Sequence, residues 1–120
     1  MKKKILIIDD IEDVRIAMIR ILGEDQYDYL EAQSGIKGLE IIKSQELDLV
    51  ISDLAMPNVN GLELLQELGN LEKCPKFILV TGYANMFSDF GDGKRPDAII
   101  EKPYRSIDLK KAISEVLGDH

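Results

Sequence analysis

The chain has 120 residues, 45% hydrophobic and 31% charged, so a single globular domain over residues 1–120 is expected rather than a disordered segment. With 22 acidic against 15 basic side chains the net charge is −7, which argues against nucleic-acid binding through a broad basic face. The longest uninterrupted apolar run is four residues, which leaves no transmembrane helix, and the basic start Lys2-Lys3-Lys4 reaches Asp9 too soon for a signal peptide.

Ile5-Leu6-Ile7-Ile8 is the first apolar run. It is short, β-branched-rich and does not alternate with polar residues, as a strand buried on both faces of a parallel sheet does. Ile11, Val14, Met18 and Ile21 then repeat at helical spacing, and Gly23 offers a stop. The segment from Tyr27 to Ala32 mixes polar and apolar residues and suits a strand at a sheet edge. Ser34 is placed to cap a helix carrying Ile36, Leu39 and Ile42. Leu49-Val50-Ile51 is a second buried strand. Asn60 is placed to cap a helix carrying Leu62, Leu65 and Leu68, with Gly69 after it. Phe77-Ile78-Leu79-Val80 is a third buried strand.

Between Thr81 and Ala98, Gly91, Gly93 and Pro96 oppose a helix. About two turns are expected there, near Asn85 to Phe90, and then a loop. Ala98-Ile99-Ile100 forms the last strand. Ser106 is placed to cap a helix with Leu109, Ala112, Ile113 and Val116 on one side. Strand and helix thus alternate five times. Right-handed crossovers then give an α/β domain, a doubly wound parallel sheet with helices on both faces and a short or irregular fourth helix. No linker or internal repeat appears, and no second domain is expected.

The polar residues that close the strands carry the chemistry. The first strand ends in Asp9-Asp10, the third in Asp53, the fourth in Thr81 and the fifth at Lys102. A parallel sheet puts all these ends on one edge, where open α/β sheets place their sites. Three converging carboxylates need a cation or raised pKa values. Carboxylates with a main-chain carbonyl suit Mg²⁺, a hard ion that takes oxygen ligands. A lysine beside them suits a phosphoryl dianion, and an Asp there is a possible covalent acceptor. His120 is the only histidine, which argues against a Ser-His triad or a His-ligated metal. Cys74 is the only cysteine, which excludes an internal disulfide and fits a reducing cytoplasm.

Asp9-Asp10, Asp53-Leu54-Ala55-Met56-Pro57, Asn60-Gly61, Thr81-Gly82-Tyr83-Ala84 and Lys102-Pro103-Tyr104 together resemble the receiver domain of two-component response regulators. The resemblance covers essentially the whole chain. No single motif is specific; the ordered set at these spacings is. It implies a flavodoxin-like (βα)5 fold with strand order 2-1-3-4-5. It implies a regulatory phosphorelay switch, not an enzyme, in which Asp53 takes a phosphoryl group from a phosphohistidine on a sensor histidine kinase or histidine phosphotransfer protein. Asp10 and Asp53 would coordinate Mg²⁺, with Asp9 acting directly or through water and the Ala55 carbonyl as a further ligand. Lys102 would pair with the phosphoryl group and Thr81 would hydrogen-bond it. A cis Lys102-Pro103 peptide is also implied. No nucleic acid or membrane partner is expected of this domain. The sequence departs from the family at Ile99, where an aromatic residue is frequent, and in its eroded fourth helix; both bear on the usual output surface.

Taken singly, these residues have plainer readings. Asp9 and Asp10 would serve equally well to cap the first helix. Asp53 would pass for a solvated turn residue, Thr81-Gly82 for a turn and Lys102 for a surface lysine. Ala55 and Tyr83 border the acceptor, and would either control the access of water or be ordinary loop residues. Only their joint placement on one edge favours a site. An Asp-nucleophile phosphatase of the haloacid-dehalogenase type is the alternative. It would put two acids one residue apart after the first strand, where this chain has Asp10-Ile11-Glu12, and would want a cap domain. A flavodoxin-like FMN carrier would want a Ser/Thr/Gly-rich loop where Asp9-Asp10-Ile11-Glu12-Asp13 stands.

Overall fold

The four apolar runs and the mixed segment before Ala32 all become strands, each beside the partner that the crossovers require. The computed structural model describes residues 2–56, 59–82 and 93–118. In chain order the elements are β1 (Lys4–Ile8), α1 (Glu12–Leu22), β2 (Asp28–Ala32), α2 (Gly35–Ser44), β3 (Leu49–Asp53), α3 (Gly61–Leu68), β4 (Lys76–Thr81), β5 (Ala98–Glu101) and α4 (Ser106–Leu117). The sheet order is β2-β1-β3-β4-β5, parallel throughout. This is the doubly wound, flavodoxin-like order expected. The short helix expected near Asn85 to Phe90 lies outside the described residues, as does Tyr83.

The unbroken apolar runs are explained by two cores. Side chains alternate across a strand, and here both faces are covered. Ile5, Ile7, Leu49, Ile51, Ile78, Val80 and Ile100 share one core with Met18 and Leu22 of α1 and Leu109 and Ile113 of α4. Leu6, Ile8, Val50, Phe77 and Leu79 share the other with Ile42 of α2 and Leu64, Leu65 and Leu68 of α3. The edge strands β2 and β5 are only partly buried, which is why β2 mixes polar with apolar residues.

Helix ends follow the sequence with corrections. Asn60 caps α3 as expected, in a reciprocal capping box with Glu63. Ser34 caps α2 by accepting from the Lys37 amide. Gly23 ends α1 at φ +100°, a backbone conformation that a side chain would strain. Ile11 and Ile36, expected on buried helix faces, are 55% and 45% exposed. Ile11 is the N-cap of α1, ahead of the turn that meets the sheet, and Ile36 lies in the first turn of α2. Ser106 was expected to cap the last helix, but it is the first helical residue and Arg105 is the N-cap. The reason is Asp108, whose carboxylate reaches back to the Arg105 amide and guanidinium at 3.2 Å.

Candidate functional site

The topology brings the strand-end residues together. β1 lies beside β3 with Ile8 opposite Ser52, so Asp9 and Asp53 come next at adjoining strand ends. β4 lies on the other side of β3, and its Thr81 is opposite Glu101, the residue before Lys102. Oxygen atoms from the carboxylates of Asp9, Asp10 and Asp53 all lie within 4.8 Å of one another. Lys102 Nζ is 3.3 Å from Asp53 Oδ2, and the Asp53 side chain of this pair is only 11% exposed. The Lys102 amide donates to the Thr81 carbonyl at 2.9 Å, which ties the β5 exit to the end of β4. Thr81 itself is buried. The Lys102-Pro103 peptide is cis, as the resemblance implied. Ala55 lies two residues beyond Asp53 and is exposed.

Because α1 has Ile11 as its N-cap with no side-chain cap hydrogen bond, Asp9 does not cap it. Its Oδ1 accepts from the Ile11 amide at 2.9 Å, a local turn at the helix entrance. Its Oδ2 is buried with no hydrogen-bond partner. The residue is 1% exposed, and an ionised oxygen so placed is costly unless a charge or proton compensates it. Burial pushes the Asp9 carboxyl above its usual 3.8; the charges of Asp53 and Asp10 push the same way, while the Ile11 amide and Lys102 oppose. The set fits the cation the sequence implied. Its donors are all oxygen, which selects a hard ion such as Mg²⁺ over zinc or copper, and one of them is a buried carboxylate oxygen without a partner.

The sequence assigns no role to three neighbouring residues, of which Tyr104 stands in the Lys102-Pro103-Tyr104 motif. Arg15 of α1 is nearly buried; its guanidinium donates to the Asp9 main-chain carbonyl and to Glu31. The signal was available, because long helical side chains lean toward the N-terminus of their helix. Tyr104 lies close enough to Asp9 that its hydroxyl pKa is raised, first by burial and then by the Asp9 charge. Ser52 is fully buried and donates to the Asp53 carbonyl at 2.9 Å. Nothing in its local sequence marks it out. Ile99 is half-buried opposite Leu79 and packs on the α2–α3 side of the sheet.

Comparison with known proteins agrees with this arrangement. The family model of the response regulator receiver domain matches residues 5–114. The chain is 31% identical over 120 residues to the chemotaxis protein CheY of Halobacterium salinarum, covering 98% of each. It is 35% identical over 118 residues to the sensor kinase CckA of Brucella abortus, covering 94% of this chain but 12% of that protein. Among solved structures, the response regulator TrrA of Thermotoga maritima, in complex with Mg²⁺-BeF, is 32% identical at a TM-score of 0.85, covering 96% of this chain and 99% of that one.

Proposed function

Because this chain belongs to the response regulator receiver domain family, we propose that it works as the phosphoryl-accepting switch of a two-component phosphorelay, with Asp53 as the acceptor. The observation that carries this is the meeting of Asp53 with Asp9 and Asp10 within 4.8 Å and with Lys102 at 3.3 Å. The Asp53 carboxylate attacks the phosphorus of a phosphohistidine, the P–N bond breaks, and the imidazole leaves and takes up a proton. An acyl phosphate on Asp53 is the product. Lys102 is the cation that balances the incoming phosphoryl oxygens. Thr81, at the end of β4, donates its hydroxyl to one of them.

Asp9, Asp10, Asp53 and the carbonyl of Ala55 are the groups that would hold Mg²⁺. When bound, the ion neutralises the carboxylates and the charge that develops on the transferred group. The donor histidine is that of a sensor histidine kinase or a histidine phosphotransfer protein; the likeness to part of a sensor kinase supports a kinase-type donor. A cytoplasmic location suits such a donor, and among the described residues no helix is long and apolar enough to cross a membrane. The net charge of −7 supports a protein partner over nucleic acid. The family assignment leaves the haloacid-dehalogenase alternative without support.

Incubation with acetyl phosphate and Mg²⁺ tests the reading. We expect one phosphoryl group per chain, seen as an intact mass gain, and background labelling in Asp53→Asn with an unchanged melting temperature or a higher one. An undiminished gain in that variant would remove Asp53 from its role. Continuous release of phosphate without a labelled species would favour a phosphatase.

A further inference from the structure

We propose that Arg15 is a positioning residue that holds the Asp9–Asp10 pair in the geometry needed for its cation; this rests on the phosphoryl-switch reading above. The Arg15 side chain is 11% exposed, while that of Arg105 is 80% exposed. Its Nη1 donates to the main-chain carbonyl of Asp9, and its Nε donates to Glu31 Oε1 at 2.9 Å. One planar fork thereby joins three pieces of the fold: α1, the loop after β1, and the end of β2.

The consequence for Asp9 is specific. Its amide donates to the Ala32 carbonyl at 3.1 Å. Its carbonyl accepts from Arg15, and its Oδ1 accepts from the Ile11 amide at 2.9 Å. The residue is fixed on three sides, and the oxygen left over is the buried, unpartnered Oδ2. Without Arg15 the carbonyl side is released, and Asp10 is the next residue on that peptide. The guanidinium charge is already matched by Glu31, so its contribution is geometric. A lysine would keep the charge, but an ammonium does not reproduce a fork that meets two acceptors in one plane.

Three variants test this: Arg15→Met, Arg15→Lys and Glu31→Gln. The first measurement uses metal-free protein. Hydrogen exchange at the Asp9 and Ile11 amides, which donate to the Ala32 carbonyl and to Asp9 Oδ1, should rise about tenfold or more in Arg15→Met and Arg15→Lys, with Val50 and Ile51 unchanged. The second is the Mg²⁺ concentration giving half-maximal thermal stabilisation. It should rise roughly tenfold in both, the low end of what losing a partner behind a metal ligand costs. The labelling rate at saturating Mg²⁺ should return to within about twofold of wild type, because the acceptor itself is untouched, and the unchanged exchange at Val50 and Ile51 separates this from a loss of folded protein. Glu31→Gln should shift both readouts the same way by a smaller factor, and it keeps the test available if Arg15→Met does not fold. Unchanged exchange and midpoint in the Arg15 variants would overturn the proposal, as would wild-type behaviour of Arg15→Lys, which would mean that charge alone suffices. If wild-type protein neither takes label nor responds to Mg²⁺, the switch reading fails, while the exchange comparison still decides the role of Arg15.

Discussion

The Asp9 carboxylate gives up its water on folding and gains one hydrogen bond, from the Ile11 amide, in exchange. Burial therefore raises its pKa above the usual 3.8, and the sign of the pH dependence follows. Between the unfolded value and the raised folded value, the folded state binds more protons than the unfolded state. Stability of the metal-free protein accordingly falls as pH rises through that window, and the cost of the buried charge is in full force above it. A neutral amide is cheaper to bury than a carboxylate. Asp9→Asn is expected to melt higher than wild type near neutral pH in a chelator, by a few degrees for each kcal/mol gained. The difference should vanish as the pH is lowered toward 3.8. Melting curves of both proteins across that range decide it; a gap that stays constant with pH would show that ionisation of Asp9 is not its source.

The entrance to α3 separates two kinds of constraint on adjacent residues. Asn60 accepts from the Glu63 amide at 2.9 Å and belongs to a local capping box. Its change to Ala should cost about 1 kcal/mol of stability and leave the response to Mg²⁺ intact. Gly61 is constrained by the site itself. A Cβ there would stand 2.7 Å from the Asp53 carbonyl oxygen and 2.8 Å from the Leu79 side chain. The carbonyl is main chain and cannot swing aside, so Gly61→Ala must displace the end of β3. It should cost about 1–3 kcal/mol as overpacking and also weaken Mg²⁺ binding, which Asn60→Ala should not. Isothermal titration of both variants with Mg²⁺ distinguishes them; equal affinities would mean that the loop absorbs the methyl without moving Asp53. The Asn60 cap was legible in the sequence because capping is a local signal. The clash at Gly61 was not, since it depends on which main-chain atom the fold presses against that Cα. The same limit applies to the two acceptors of Arg15, which lie on different segments, although the lean of its side chain toward the helix entrance was legible. The shift of the last cap to Arg105 was a local signal, Asp108 three residues on, that Ser106 obscured.

Across the whole molecule, strand order converts separated sequence positions into one site. β1 and β3 are neighbours in the interior of the sheet, so Asp9 and Asp53 meet without any long loop to place them. That much was legible, because runs such as Leu49-Val50-Ile51 announce burial on both faces and strand ends in such sheets share an edge. The acid cluster is therefore anchored in the two cores, and a cation bound there stabilises the entire sheet, not a single loop. Binding to the folded state alone contributes about 2.7 kcal/mol at a hundredfold excess over Kd, equivalent to roughly 10 °C in melting temperature for a domain of this size. Asp10 is exposed, so Asp10→Ala should leave the metal-free melting temperature within about 2 °C of wild type and remove most of the Mg²⁺ response. Protons compete for the same oxygens. Because the Asp9 carboxyl is raised above 3.8, the wild-type response should shrink as the pH falls toward that value. Thermal melts with and without millimolar Mg²⁺, at neutral and at mildly acidic pH, measure both effects. A wild-type melting temperature indifferent to Mg²⁺ at neutral pH would count against a preformed cation site, and an undiminished response in acid would mean that Asp9 is not among its ligands.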